Sequence, residues 1–460
     1  MQPLSGLDAS FLYLETPAQP LHVCALLTLD PGTVEGGYSY AGLVERLGER
    51  VNGAPAFRRR LYNPPLNLGH PVWVEDRDFS LERHVHRTVL PAPGGHAELA
   101  ELCADIAGRP LERNRPLWEM TVIEGLADGG VAVLAKMHHA SVDGVSGANL
   151  LASLAGLDAG PEPPEGHPAN PRPPGQLAML RSSALTLARR PFELLRLLPG
   201  LAGMVPRWVG RSLQGKNMPT PFTAPRTSFN GTITGHRSVA FTQVGLDEVK
   251  AVKNAFGVTV NDVVLAMCTG ALRRYLDDRG ELPPDPLVAT VPVSIHDRTS
   301  RVEGSNRVSA FFASLPTHLA EPAARVYMIA ESNRHAKDHH NTIDADMLQD
   351  WAQFAAETTF GLAVRAYSAL RLAERHPVIH NLVVSNVPGP PSDISLLGAR
   401  VTGMYPLGPV FHGAGLNITV LSTGGTVNVG VLGARELVPE PWRITDAIPQ
   451  SLRDLLDACP

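Results

Sequence analysis

The stretch VAVLAKMHHASVDGVSG, Val131 to Gly147, restricts the fold more than any other part of the chain. Val131, Val133 and Ala135 alternate with Ala132, Leu134 and Lys136, which is the period of two that a strand imposes, and the strand runs out at Met137, His138 and His139. A bend follows. Asp143-Gly144 is a turn dipeptide, in which glycine takes the positive φ that a Cβ opposes, and the apolar spacing after it predicts a helix to about Leu157. Two adjacent imidazoles therefore sit where a strand turns into a helix, and Asp143 places a carboxylate just beyond the second.

Histidine, with an ordinary pKa of ~6.5, takes and returns a proton near neutrality, and a positioned general base contributes about 10²–10⁴ in rate. Neighbours on a strand point to opposite faces, so one of His138 and His139 faces the reaction and the other the packing. No GxSxG elbow supplies a nucleophile, and direct transfer fits better than a covalent intermediate. Two other readings stand beside this one. The pair can be hydrogen-bonded core histidines, or it can ligate zinc together with Asp143. Adjacent histidines do not easily share an ion, and the chain has neither HExxH nor CxxC, so no metal site is expected.

At 460 residues the chain exceeds what one hydrophobic core organises, and 44% hydrophobic against 18% charged residues is enough to fill more than one. A net charge of −5 gives no basic field, which excludes nucleic acid as the natural partner. Cys24, Cys103, Cys268 and Cys459 are scattered, as in a reduced cytoplasmic protein. The leader MQPLSGLDASFLYLE has Asp8 and Glu15 and no basic n-region, so it does not read as a signal peptide. With no apolar run of about 18 residues, membrane contact is expected to be peripheral.

Along the chain, strands are predicted over His22 to Leu29 and Pro71 to Asp78, with helices over Ser39 to Val51 and Ala97 to Ala107. Glu119 to Gly125 and Val131 to Met137 form a hairpin around Ala127-Asp128-Gly129-Gly130. Trp118, at the head of its first strand, is read as a core anchor. Residues 158–175 are too rich in proline for a regular ladder. Gln176 to Lys216 carries Arg181, Arg189, Arg190, Arg196, Arg207, Arg211 and Lys216 against Glu193 amid apolar residues. That composition suits either an amphipathic segment on anionic lipid or a helical bracket packed on its own protein. The second half opens with a strand at Arg237 to Phe241, and Thr259 caps a helix with Asp262 as capping-box partner. Strands follow at Leu287 to Ile295, Arg307 to Leu315 and Asn381 to Ser385, the last ending in a turn at Asn386-Val387-Pro388-Gly389. Long helices are predicted over Pro322 to Asp344 and Met347 to Arg375, and a late hairpin joins Leu416 to Leu421 with Val427 to Leu432.

His138-His139-Ala140-Ser141-Val142-Asp143-Gly144 matches the HHxxxDG signature of the acyl-CoA-dependent acyltransferase superfamily. That superfamily also holds chloramphenicol acetyltransferase, the carnitine acyltransferases and peptide-synthetase condensation domains. Flanking pieces narrow the match: Pro3-Leu4-Ser5 with Asp8 and Phe11-Leu12, Pro116-Leu117-Trp118-Glu119, Asn261-Asp262, Pro292-Val293-Ser294, and Ser385 to Pro390. In that order, over nearly the whole chain, it resembles the bacterial wax ester synthase/diacylglycerol acyltransferase family. In one place it departs from the pattern, because Gly304-Ser305-Asn306 has a serine within the expected Gly-Asn pair.

The resemblance implies an α/β (α+β) fold of the two-lobed, chloramphenicol-acetyltransferase-like kind, with mixed sheets flanked by helices and a tunnel between lobes. It divides into an N-terminal lobe 1–157, a linker and basic crossover segment 158–235, and a C-terminal lobe 236–460. The implied chemistry is transfer of a long-chain acyl group from acyl-CoA to the hydroxyl of diacylglycerol, or of a long-chain alcohol to give wax ester. His139 is then the base in mid-tunnel, with His138, Asp143 and Gly144 completing its motif. Pro116, Leu117 and Trp118 resemble a motif shaping the substrate channel, and Asn261 and Asp262 one near the acyl or CoA channel. Arg298, with Arg301 as the alternative, is expected to pair with Asp143; if that pair is buried, removing one partner costs roughly 3–5 kcal/mol. No cofactor is expected beyond acyl-CoA as co-substrate, and the partners are acyl-CoA, a lipid alcohol and a membrane or lipid-droplet surface. Two further classes are a condensation-type enzyme and a lipid-binding paralogue with a dead site. The chain contains no carrier domain, and its intact His139 and Asp143 speak against the second.

Overall fold

The computed structural model describes residues 2–64, 70–141, 222–294, 308–340, 357–390 and 392–460. Asp143 and Gly144, the helix expected to Leu157, the linker and basic segment, and Arg298 with Arg301 lie outside the described residues. The N-terminal half contains β1 (Gln2–Pro3), α1 (Gly6–Leu14), β2 (His22–Asp30), α2 (Tyr40–Gly53), β3 (Arg59–Tyr62), β4 (Val72–Glu75), β5 (Val85–Val89), α3 (His96–Gly108), β6 (Trp118–Glu124) and β7 (Val131–His138). The C-terminal half runs through β8 (Arg237–Gly245), α4 (Leu246–Phe256), α5 (Val260–Asp278), β9 (Leu287–Ser294), β10 (Val308–Leu315), α6 (Pro322–His340) and α7 (Glu357–Ala369). It ends with β11 (Leu382–Pro388), β12 (Ser395–Leu396), β13 (Ala399–Leu407), β14 (Leu416–Thr423), β15 (Thr426–Ala434) and α8 (Pro441–Asp457).

Two six-stranded mixed sheets, one ordered β12-β13-β2-β7-β6-β5 and the other β10-β9-β11-β14-β15-β8, organise most of these elements, and β1, β4 and β3 form a small three-stranded sheet. In the first, β7 lies between β2 and β6 and is buried at all eight positions. Its alternation divides the packing. Val131, Val133, Ala135 and Met137 join a core with α2 residues Leu43, Leu47 and Val51, while Ala132 and Leu134 join one built on α3. Lys136 falls on the α3 side and is fully buried. Its ammonium meets Glu119 at 2.6 Å and donates to the carbonyls of Ile106 and Arg109 at 2.8 and 2.9 Å. A cation at the C-terminal end of α3, where the Ile106 oxygen also accepts from the Arg109 N–H at 3.2 Å, complements the helix dipole and ties that helix to the sheet.

The two halves share the α3 core. Leu99, Cys103 and Ala107 of α3 pack with Phe241 of β8, Leu407 of β13 and Leu432 of β15. β13 comes from the C-terminal half yet pairs antiparallel with β2, so the chain crosses from one lobe to the other. At this crossing a Cβ on Gly430 would overlap the Pro406 carbonyl oxygen, so β15 needs glycine there to approach β13. The late hairpin expected from sequence is present as β14 and β15 but stays within the second sheet; β13 makes the crossing.

In the second lobe α4, α5, α6 and α8 supply the core against the sheet. No single helix among the described residues is long and apolar enough to cross a membrane. Residues 262–272 of α5 are all buried within the protein, which accounts for their apolar character. Two expectations need correction. The helix expected over Met347 to Arg375 ends at Ala369, because Arg371 takes φ 49° and a 3-10 turn, Leu372–Glu374, follows. The strand expected to stop at Ser385 continues to Pro388, because parallel pairing with β14 carries on through Val387 opposite Leu421 and Pro388 opposite Ser422. α2 and α5 begin where their sequence signals place them, with Ser39 and Thr259 as side-chain caps.

Lys136→Met would leave the Glu119 carboxylate and two α3 carbonyls without their cation. The carboxylate left behind is 25% exposed and stays partly solvated, so the cost is chiefly the charge-assisted bonds to the two carbonyls, about 1.5–3 kcal/mol. Denaturant unfolding is expected to show a loss of about that size, and an unchanged midpoint would contradict this role.

Candidate functional site

β2 and β7 set His22 opposite His138 in antiparallel register. His138 is the last residue of β7 and donates its backbone N–H to the Leu117 carbonyl at 3.0 Å. The chain then tightens into a 3-10 turn, His139–Ser141, and the His139 N–H reaches the Leu21 carbonyl at 2.9 Å. With the strand ended, the two imidazoles part. His138 is 1% exposed, whereas His139 is half-buried.

The His138 ring bends back on the turn it precedes. Its Nδ1 accepts from the Ala140 N–H at 3.0 Å, so in the neutral ring the proton sits on Nε2. That nitrogen faces Glu15, 3.6 Å from Oε2. The other carboxylate oxygen, Oε1, lies 3.2 Å from His22 Nε2 and accepts from the Leu21 N–H at 3.3 Å. Arg113 completes the cluster, donating to Oε2 through Nη2 at 2.7 Å and Nε at 3.2 Å, and through Nη2 to the Leu12 carbonyl at 2.8 Å. Burial alone would raise the Glu15 pKa, but the His138 and His22 rings and the Arg113 guanidinium around it hold it well below the usual carboxylate range. Burial in turn pushes His22 down to about 4, which outweighs the pull of Glu15.

His139 stacks on Phe11 of α1, with ring centroids 4.0 Å apart and planes 21° apart. Burial lowers its pKa to about 4, with the neighbouring His138 ring in the same direction and only partial compensation from its own backbone carbonyl. At neutral pH the ring is therefore uncharged and able to accept a proton. Burial pushes the thiols of Cys24 and Cys268 up to about 12, so neither is a thiolate nucleophile. No group of three or more His, Cys, Asp or Glu side chains with metal-holding geometry occurs among the described residues.

The structure distributes the other sequence candidates as follows. Leu117 is 2% exposed and packs with Ala140, so it supports the turn from below. Pro116 accepts from the Trp118 N–H at 2.9 Å. Trp118 is a core residue: it is 5% exposed, donates from Nε1 to Phe57 O at 2.8 Å, and stacks on His84 at 4.7 Å. Asp262 begins α5, accepting through Oδ2 from the Thr259 N–H at 2.9 Å and hydroxyl at 2.7 Å, and through Oδ1 from Asn333 at 2.7 Å. Asn261 accepts from Asn386 at 3.5 Å, which brings together two motifs distant in sequence.

Sequence reasoning missed the buried carboxylate and its companions, Glu15, His22 and Arg113, and quoted Phe11 only as a piece of a family motif. Glu15 was the legible one, as the last acid of an apolar leader that ends just before the strand opposite β7. A cavity of about 340 Å³ opens beside the cluster, lined by Leu12, Tyr13, Arg60, Leu61 and Arg113 among others, and His139 is not in its wall. The stretches that follow the His turn and flank Arg298, residues 142–221 and 295–307, lie outside the described residues, and with them the expected tunnel.

The profile of the wax ester synthase/diacylglycerol acyltransferase catalytic domain matches residues 4–264, and that of the family's C-terminal domain matches residues 304–456. A Mycobacterium tuberculosis H37Rv protein provisionally named a diacylglycerol O-acyltransferase is 46% identical over 459 residues, covering 99% of this chain and 90% of that protein. Another from the same strain, with the same kind of name, is 39% identical over 98% of this chain and 99% of its own. Among solved structures, the wax ester synthase/diacylglycerol acyltransferase from Marinobacter aquaeolei VT8 superposes with a TM-score of 0.70 at 31% identity, covering 99% of this chain and 100% of that one. The first condensation domain of the CDA synthetase, at 14% identity and a TM-score of 0.55, shares the fold. Matched at both halves and along its length, the chain belongs to the wax ester synthase/diacylglycerol acyltransferase family.

Proposed function

We propose that this acyltransferase moves a long-chain acyl group from acyl-CoA to the free hydroxyl of diacylglycerol, with His139 as general base and no acyl-enzyme. The observation that carries this reading is the placement of His139 in the turn that ends β7, half-buried and stacked on Phe11. His139 takes the hydroxyl proton as the oxygen attacks the thioester carbonyl. A tetrahedral oxyanion forms, its collapse breaks the carbon–sulfur bond, and the leaving CoA thiolate recovers the proton from the imidazolium. Nothing in this sequence of steps calls for a cofactor beyond the acyl-CoA co-substrate. Asp143 paired with Arg298 is proposed to brace the turn. The names of the mycobacterial relatives favour diacylglycerol, while that of the Marinobacter protein makes a long-chain alcohol, giving wax ester, the second reading. Both acceptors are delivered from a lipid surface, and we propose that the protein works peripherally on one from the cytoplasmic side.

Radiolabelled acyl-CoA with diacylglycerol, with hexadecanol and with no acceptor, using wild type and His139→Ala, tests the reaction. Acceptor-dependent ester from the wild type, lowered about 10²–10⁴-fold in the variant, is expected. Equal product from both proteins would remove His139 from the base role.

The pH dependence carries the same signature. In pH jumps shorter than unfolding, kcat/KM is expected to hold from neutrality to about 5, with its acid limb near the His139 value of about 4. An acid limb at ~6.5 would mean an unperturbed ring. Stability behaves differently. His22, His139 and His380 are each lowered to about 4, whereas their unfolded counterparts titrate near ~6.5. Between those values the unfolded chain binds more protons, so stability falls as pH drops through that window. Glu15, whose pKa is depressed, adds its own loss only below the ordinary carboxylate range. The melting temperature is therefore expected to fall between about pH 6.5 and 4, and a flat profile would contradict neutral burial of these rings.

A further inference from the structure

We propose that Glu15 is a positioning residue for the reaction, acting on His139 through the ring of His138. The inference rests on the reading of His139 as the base and adds what aims it. Arg113, the Leu21 N–H and the His22 ring all meet this one carboxylate, whose side chain is 8% exposed. An anion at Oε2, 3.6 Å from His138 Nε2, favours the tautomer with the proton on that nitrogen. The same tautomer leaves Nδ1 with a lone pair, which receives the Ala140 N–H at 3.0 Å. Ala140 follows His139 directly, so this bond closes the 3-10 turn on which the base is mounted. Were His138 to carry its proton on Nδ1, two N–H groups would face each other and the turn would open.

Glu15 also bears on the base through α1. It is the C-cap residue of α1, the helix whose Phe11 stacks on His139, and its partner Arg113 also binds the Leu12 carbonyl in that helix. One carboxylate thus fixes both the turn beneath the base and the helix against its face. Arg113, on the same Oε2 that faces His138, and His22, at Oε1, hold the carboxylate in place and keep it charged.

A structural role would also make Glu15 matter, so the test must follow the route through His138. Long-range ¹H–¹⁵N correlation spectra of histidine-labelled wild-type protein report each ring's tautomer, with His138 identified by loss of its signals in His138→Asn. The expected result is the Nε2–H form, and the Nδ1–H form would overturn the proposal without any functional variant. In kinetics, Glu15→Gln is expected to lower kcat about 10–100-fold while each KM stays within about twofold. Asparagine places an amide oxygen where Nδ1 stood, whereas glutamine reaches the Nε2 position. His138→Asn is therefore expected to keep at least about tenfold more activity than His138→Gln. In the His138→Asn background, Glu15→Gln is expected to cost little more in kcat, because the relay is already cut. Fully additive losses, or a Glu15→Gln enzyme with wild-type kcat, would overturn the proposal. Full activity in His139→Ala would instead sink the base reading, leaving the tautomer result to be judged separately.

Discussion

The structure depends on one strand that buries ionisable groups in the middle of a sheet. β7 has no exposed position, yet it carries Lys136 and His138 on the same side. A charge or polar ring removed from water is costly unless it finds partners in the interior. The fold supplies them from elements that must come together for the strand to exist. Lys136 requires β6 for Glu119 and the end of α3 for two carbonyls. His138 requires the end of α1 for Glu15 and the turn after itself for the Ala140 N–H. Polar satisfaction at neighbouring positions of one strand therefore fixes where a helix ends and where another begins to bear on the active turn.

The lobes are not separate bodies joined by a tether. α3 lies in a core contributed by both sheets, and β13 leaves its own half of the chain to pair with β2, the direct neighbour of β7. A displacement of the C-terminal lobe would thus be felt at the strand opposite the histidines. Membership in a family whose fold recurs in condensation domains at 14% identity is understandable on these terms. What has to persist is the buried pairing of a few strands, which many apolar sequences satisfy.

Local signals carried much of the fold. The hairpin of β6 and β7 was legible because alternation and a glycine-bearing connection agree. α5 was legible because Thr259 and Asp262 form a reciprocal cap. α8 had a readable apolar stripe in Ile444, Ile448, Leu452 and Leu455 and a proline at its start, but no side-chain cap marked it. β13 was not legible as a crossing strand, since its partner β2 lies more than three hundred residues away and pairing at that range leaves no local trace. The extension of β11 to Pro388 was hidden for the same reason: proline and glycine look like a turn until β14 is placed beside them.

By itself the sequence determined that two adjacent histidines would stand at the end of a buried strand, and that only one of them could remain with the packing. It also determined the family, through short motifs whose order spans the chain. Alternation alone left open which histidine stays with the packing, and tertiary structure supplied the physical reason that it is His138. His138 is held inside because a carboxylate from α1 waits there, and His139 is left half-open because the chain turns immediately after the strand and presents it against Phe11. The physical reason is that an imidazole's protonation and tautomer follow from its neighbours. Glu15, His22 and Arg113 become neighbours of His138 only when α1, β2 and the segment before β6 close around β7.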